Sequence, residues 1–361
     1  MKTEIVSAVR AERRFSEDQA DDSSQTGATP LVRARSSEGC AKAINLLREG
    51  KVVALPTETV YGLAADALNP DAVAKIFEAK ERPRFDPLIV HLPNRKVLDE
   101  IAIVDSPIAV KLIEKFWPGP LTIVFRKCDV VPDIVTAGLK TVAVRMSAHP
   151  IFSEIVSALD RPLAAPSANR FGHVSPTTGQ HVLDELDGRI PLIVDGGATE
   201  HGIESTIVRI VNGVIEVLRR GAIPEEMLHP FGEVRERTPA SVINAPGQWL
   251  SHYAPKTRLI TVKRLQDFLA TPGKRTGALS LSPVAKIGPR GSPRPTTAAT
   301  TADFAAVRYL SEGGDLREAA ANLFRMLREL DVENLDLIVA ERVPEEGIGA
   351  AINDRLERAS S

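Results

Sequence analysis

The chain has 361 residues, 43% of them hydrophobic and 25% charged, with a formal net charge of −2, a length that suits two or three soluble domains with cores of their own. The slight acidity excludes a general nucleic-acid coat, which needs an excess of cations to neutralise phosphates, but not a local basic pocket. Two cysteines, Cys40 and Cys128, without a CxxC or Cys/His cluster, exclude a disulfide framework and a structural zinc, and the lack of a membrane-length apolar run or an apolar leader core points to a cytoplasmic protein.

Residues 1–34 include the mixed-charge, serine-rich run Ser16 to Ser24, which can bury little surface and reads as a mobile extension. A helix is expected from Ser37 to Glu49, stopped by Gly50, then a strand from Val52 to Leu55 ended by Pro56. Asn69-Pro70 has the form of a cap followed by proline at the first helical position, and Val73, Ile76 and Phe77 share one face of the helix that follows. Next come a strand at Pro87–Leu92, a helix at Ile108–Phe116 and strands at Leu121–Phe125 and Thr141–Met146. A helix then runs to about Leu159, and a short strand, Leu192–Val194, leads into Asp195-Gly196-Gly197. The runs Thr206–Val211 and Val214–Leu218 flank Asn212-Gly213, a strong hairpin signal. Together these elements make residues 35–235 a mixed α/β domain.

Residues 236–257 lack periodicity and hold Pro239, Pro246 and Pro255, so they read as a linker. The linker also carries Trp249 and Tyr253, large aromatics that bury much area once they find a surface, which makes it a candidate lid. Beyond it, strands at Leu259–Val262, Gly277–Leu281 and Leu335–Ala340 and a helix at Leu316–Leu330 describe a small parallel-sheet domain over 258–361. Ser282 to Thr301 reads as a long loop within it.

The usual nucleotide and nucleophile motifs are missing: no glycine-rich phosphate loop, no dinucleotide fingerprint, no nucleophile elbow, no zinc helix. A nucleotide would have to be held by side chains. Lys80-Glu81-Arg82-Pro83-Arg84 is either a solvated cationic helix cap or a phosphate grip. Arg145 ends an otherwise apolar strand and needs an anion there, supplied by the protein or by a ligand. His91 ends Leu88-Ile89-Val90, Pro166-Ser167-Ala168-Asn169 offers close backbone approach, and Glu204-Ser205-Thr206 offers two hydroxyls.

Taken in order, these pieces resemble the YrdC-type threonylcarbamoyl-AMP synthases in their longer, two-domain form. The likeness is carried by Pro56-Thr57-Glu58-Thr59-Val60-Tyr61-Gly62-Leu63, Lys80-Glu81-Arg82-Pro83, Pro87 to His91, Trp117 to Thr122, Thr136 to Leu139, Thr141 to Arg145, Ala165 to Asn169, Ser175-Pro176-Thr177, Asp195-Gly196-Gly197 and Glu204-Ser205-Thr206. It continues through His252-Tyr253-Ala254-Pro255 to Gly349–Leu356. The resemblance implies an α/β fold, a twisted mixed sheet around a deep cavity, followed by a small Rossmann-like domain. It implies a nucleotidyltransferase that joins L-threonine, bicarbonate and ATP into threonylcarbamoyl-adenylate and releases pyrophosphate, for modification of adenosine in tRNA by a downstream transferase complex. Threonine would meet Thr59, His91, Arg145, the Ala165 backbone and Ser205. ATP, with Mg²⁺, would meet Lys80, Arg82, Thr141, Ser167, Asn169, Ser175, Arg219 and Tyr253, with Lys80 and Arg82 the catalytic cations and Asp86 beside them where the family often has Asn. No protein-held metal is implied. An RNA-binding module and a carbamoyl-transfer enzyme remain the alternatives, and direct tRNA contact stays open.

Overall fold

The computed structural model describes residues 1–7, 38–236, 253–269, 271–283 and 303–361. The short apolar runs of the first domain pair into one mixed sheet. From edge to edge its strands are Glu4–Ser7, Leu192–Asp195, Val53–Leu55, Gly62–Asp66, Leu163–Ala164, Ile89–His91, Thr141–Arg145, Leu121–Lys127, Thr206–Val211, Val214–Arg219 and Val234–Glu236. Ala102–Ile103 pairs with the Leu121–Lys127 strand off that path. The main core lies where the sheet meets the helices Pro70–Lys80 and Pro107–Phe116, through Val73, Ile76 and Phe77 on the first and Ala109, Leu112 and Ile113 on the second. A second cluster joins the helices Glu38–Arg48 and Pro150–Leu159 to Val53, Leu55 and Val194.

Local sequence signals act as their chemistry requires. Asn69 caps its helix, its side-chain oxygen accepting from the backbone N–H groups of Asp71 and Ala72 at 3.1 and 3.2 Å. In the hairpin, Asn212 and Gly213 both take positive φ, 51° and 79°, the pair of left-handed residues that turns a two-residue loop with the twist of its strands.

The second domain is a four-stranded parallel sheet ordered Leu259–Val262, Leu337–Glu341, Thr276–Ser280, Ala306–Tyr309, with helices Leu316–Asp331 and Gly349–Ala359. The four-residue strand at Ala306–Tyr309 and the last helix are additions to the elements expected from sequence. The helix Leu316–Asp331 buries Ala319, Ala320, Leu323, Phe324, Leu327 and Leu330 as a continuous stripe. That stripe does not close on its own domain: the same cluster takes in Val60, Val174 and Ile203 of the first domain, and Tyr253. At Gly202, where φ is +68°, the backbones approach too tightly for a side chain: a Cβ would lie 2.4 Å from the Ala321 Cα.

One boundary needs correction. Residues 1–34 were expected to be a mobile extension, yet Glu4–Ser7 is an edge strand, parallel to Leu192–Asp195. The buried Thr3 hydroxyl donates to the Ile190 carbonyl at 2.7 Å and accepts from the Gly188 N–H at 2.8 Å. A few residues sufficed because two backbone groups and an open sheet edge were waiting for them. Residues 8–34, the greater part of the expected linker and of the expected 282–301 loop lie outside the described residues. Thr3→Val should cost about 1–3 kcal/mol by urea unfolding, since it strands the buried Ile190 carbonyl and removes the acceptor of the Gly188 N–H without changing volume. A change under about 0.5 kcal/mol would mean that the Thr3 hydroxyl contributes nothing to stability.

Candidate active site

Side chains alternate between the two faces of a strand. Val90, Val142 and Val144 point into the main core, whereas Ile89 and Ala143 belong to a separate small cluster on the other face. His91 and Arg145 follow that second face. The two strands run parallel, with His91 directly paired to Arg145. Thus the polar residues that end the strands are carried to one place, the wall of a single cavity. Thr57, Thr59, Ala165, Pro166 and Ser167 line another side, and Glu204, Ser205, Arg219, Arg82 and Tyr253 the remainder.

Arg145 is held from behind. Its Nη2 lies 2.7 Å from Glu58 Oε1, and its Nη1 donates to the Thr59 hydroxyl at 3.0 Å. Burial alone would raise the Glu58 carboxyl pKa, but the Arg145 charge and a 2.5 Å hydrogen bond from Ser147 outweigh it and bring it down to about 2. The Arg145 Nε makes no hydrogen bond among the described residues, and Nη2 faces Glu58, so the guanidinium stands in the cavity wall with one carboxylate behind it. Burial, and then the Arg145 charge, push His91 down to about 3, so its ring is neutral at physiological pH.

The other cations are placed differently. Arg82 pairs with Asp86 at 2.7 Å and donates to the Pro87 carbonyl at 3.0 Å, with the Phe171 ring 5.9 Å from its Cζ. Arg219 rests on Ser205, donating to its carbonyl at 3.2 and 3.0 Å and to its hydroxyl at 3.1 Å. The Ser205 hydroxyl in turn shares a 2.8 Å hydrogen bond with Thr122. Lys80 donates to the Ser167 carbonyl at 2.6 Å and to the Asn169 carbonyl. Its ammonium is buried, which lowers its pKa well below the usual lysine range. At 1% and 8% exposure, Lys80 and Arg82 are not the solvated helix cap that was one reading of the sequence.

Of the residues singled out by sequence, Thr59, Arg82, His91, Arg145, Ala165, Ser167, Ser205, Arg219 and Tyr253 line the cavity. Lys80, Asp86, Asn169 and Ser175 stand behind that lining. Lys80 fixes the Ser167–Asn169 turn, Asp86 backs Arg82, the Asn169 amide donates to the Arg170 and His173 carbonyls, and Ser175 donates to Glu204 at 2.6 Å. Thr141 opens the strand that Arg145 ends, paired with Arg126, and does not line this cavity. Tyr253 is buried, its ring 5.5 Å from that of Phe324, while Trp249, with residues 237–252 of the expected lid, lies outside the described residues. Sequence reasoning missed Glu58 and Glu204 as carboxylates that fix arginines. Glu58 offered a usable signal, a lone charge inside Pro56–Leu63, to which the argument made for Arg145 applies equally.

The Glu58 pairing has a pH signature. Its folded pKa lies below the ordinary value of 4.5, so its contribution is complete above that value and is lost as pH falls toward about 2. Glu58→Gln should therefore be on the order of 3 kcal/mol less stable than the parent at neutral pH, with the gap narrowing below about pH 4.5, where the unfolded chain takes up the proton first, and closing toward about pH 2. A gap of equal size at about pH 7 and pH 3 would contradict the pairing.

Comparison with known proteins agrees with this geometry. A family model described as Telomere recombination, covering Sua5, YciO and YrdC proteins, matches residues 45–221. A second, described as Threonylcarbamoyl-AMP synthase, C-terminal domain, matches residues 215–361. The threonylcarbamoyl-AMP synthase of Pyrococcus abyssi is 41% identical, with 88% of this chain and 93% of the relative aligned. That of Bacillus subtilis is 39% identical, over 89% and 92%. A crystal structure of P. abyssi Sua5 complexed with L-threonine superposes with a TM-score of 0.79 at 40% identity, covering 89% of this chain and 94% of that one. A shared two-domain architecture at this identity leaves one conclusion: the chain belongs to the threonylcarbamoyl-AMP synthase family.

Proposed function

We propose that this enzyme condenses L-threonine, bicarbonate and ATP into threonylcarbamoyl-adenylate, releasing pyrophosphate. The observation that carries the reading is the convergence of the Arg145 guanidinium, neutral His91 and the Thr59 hydroxyl on one cavity wall. A guanidinium edge matches a carboxylate with two parallel hydrogen bonds. Glu58 and the Thr59 hydroxyl hold Arg145 in place in that wall. The related P. abyssi protein crystallised with L-threonine supports an amino acid as the occupant.

The chemistry runs in two steps. The threonine amine adds to bicarbonate and water leaves, giving an N-carboxylate. A carboxylate oxygen then attacks the α-phosphorus of ATP, a P–O bond forms, and the bond to pyrophosphate breaks. Such displacements need alignment and charge stabilisation more than a protein nucleophile. Arg82 and Arg219 supply the charge. Arg219 is well suited to it, because it rests on a carbonyl and a hydroxyl rather than on a carboxylate among the described residues. Lys80 acts through the Ser167–Asn169 turn that forms one cavity wall. The product is a mixed anhydride, so a water-poor cavity protects it.

Mg²⁺ belongs in this proposal as the counterion of ATP. The carboxylates around the cavity are each engaged by an arginine: Glu58 by Arg145, Asp86 by Arg82 and Glu204 by Arg355. No group of three or more acidic, His or Cys side chains gathers for a metal among the described residues. The residues present therefore do not build a cation cage, and no step above passes through one. The adenylate would be consumed in the cytoplasm by a transferase that modifies tRNA adenosine. The burial of Arg82, Arg145 and Arg219 favours a small ligand over an RNA backbone, which cannot enter such a cavity.

Pyrophosphate release surveyed over the amino acids should require threonine, bicarbonate and ATP together. Arg145→Ala should raise the KM for threonine about a hundredfold, on the scale of a lost buried charge pair, and the KM for ATP far less. Unchanged threonine dependence in that variant would remove Arg145 from the amino-acid site.

A further inference from the structure

The C-terminal helix Gly349–Ala359 sends one side chain through the domain boundary. Arg355 is 1% exposed. Its Nε donates to Glu204 Oε2 at 2.7 Å, its Nη2 to the Arg220 carbonyl at 2.9 Å, and its Nη1 to Asp354 at 2.5 Å. The Tyr253 ring lies 5.1 Å from its Cζ. Glu204 spends its other oxygen on the Ser175 hydroxyl at 2.6 Å. The next residue, Ser205, carries the carbonyl and hydroxyl on which Arg219 rests. Glu204 therefore stands between two guanidinium groups. It is paired with Arg355, while Arg219 is near enough for its charge to act on the same carboxylate.

A buried carboxylate that loses its cation takes the nearest substitute, because leaving it unpaired is costly. Here that substitute is Arg219. We propose that Arg355 is a positioning residue for the ATP site: by holding Glu204, it keeps Arg219 on Ser205 with its charge directed at phosphate, so the second domain completes the nucleotide end of the first. The inference rests on reading this cavity as the ATP site. It gives the C-terminal domain a role that the cavity lining does not reveal, since Arg355 touches no part of the lining except Glu204, Tyr253 and the backbone beside Arg219.

The test compares Arg355→Met, Arg355→Lys and the double variant Arg355→Met/Glu204→Gln with the parent, each as the full chain. ATP affinity is read by equilibrium dialysis with labelled ATP, and the two KM values by pyrophosphate release. Arg355→Met should weaken ATP binding about tenfold and change the threonine KM by no more than about twofold. Arg355→Lys, which keeps the charge, should fall between. The double variant, in which no buried carboxylate competes for Arg219, should return to within about threefold of the parent. If Arg355→Met does not fold, the lysine and double variants carry the comparison. Parent-like ATP affinity in Arg355→Met, equal losses for ATP and threonine, or a double variant no better than the single one would overturn the proposal. So would a lowered melting temperature with unchanged KM values, the signature of a purely structural contact. A parent that binds ATP without releasing pyrophosphate would instead sink the reading of the reaction, and the dialysis comparison would still stand.

Discussion

A guanidinium group taken out of water must face an anion or a set of good acceptors, and this fold places Arg82, Arg145, Arg219 and Arg355 under that constraint in one neighbourhood. Three of them meet it with Asp86, Glu58 and Glu204. Arg219 meets it with the carbonyl and hydroxyl of Ser205. The pairings fix side chains that are otherwise rich in rotamers, so the cavity presents cations that are already aimed. Pre-set charge of this kind stabilises a reacting phosphoryl group without reorganisation at the moment of reaction.

The rest of the architecture serves that arrangement. Alternation along Ile89–His91 and Thr141–Arg145 turns one face of the sheet into core and the other into cavity wall. Lys80 ties down a turn of small residues, so that backbone as well as side chains faces the cavity. The second domain closes its apolar stripe on Val60, Val174 and Ile203, and through the same boundary it passes Arg355. Packing and electrostatics thereby couple the two domains at a single seam.

Much of this was legible in the sequence. Asn69-Pro70 and Asn212-Gly213 act through local chemistry alone, and each forms the structure its residues demand. The ends of strands were also readable, because an Arg or His that terminates an apolar run has few places to go. What the sequence could not show is pairing between distant segments. Nothing local in Glu58 or Arg355 names its partner, since Glu58 meets Arg145 and Arg355 meets Glu204 only after the sheet and the domain boundary have formed. The N-terminal strand escaped for a related reason: its stability comes from an edge built by Leu192–Asp195, far along the chain. Lys80 and Ser175 show the same limit: nothing local in the sequence names the Ser167 and Asn169 carbonyls that Lys80 meets or the Glu204 carboxylate that Ser175 meets.

The central claim is that the cavity joins three small molecules into one. Incubation with ATP, L-threonine and ¹³C-labelled bicarbonate, followed by mass spectrometry and carbon NMR, tests it most directly. The account predicts a product in which the labelled carbon bridges the threonine nitrogen and the AMP phosphate, formed in equal amount with pyrophosphate. AMP and pyrophosphate released without label in a threonine adduct, or ATP left unconsumed with all three substrates present, would contradict it.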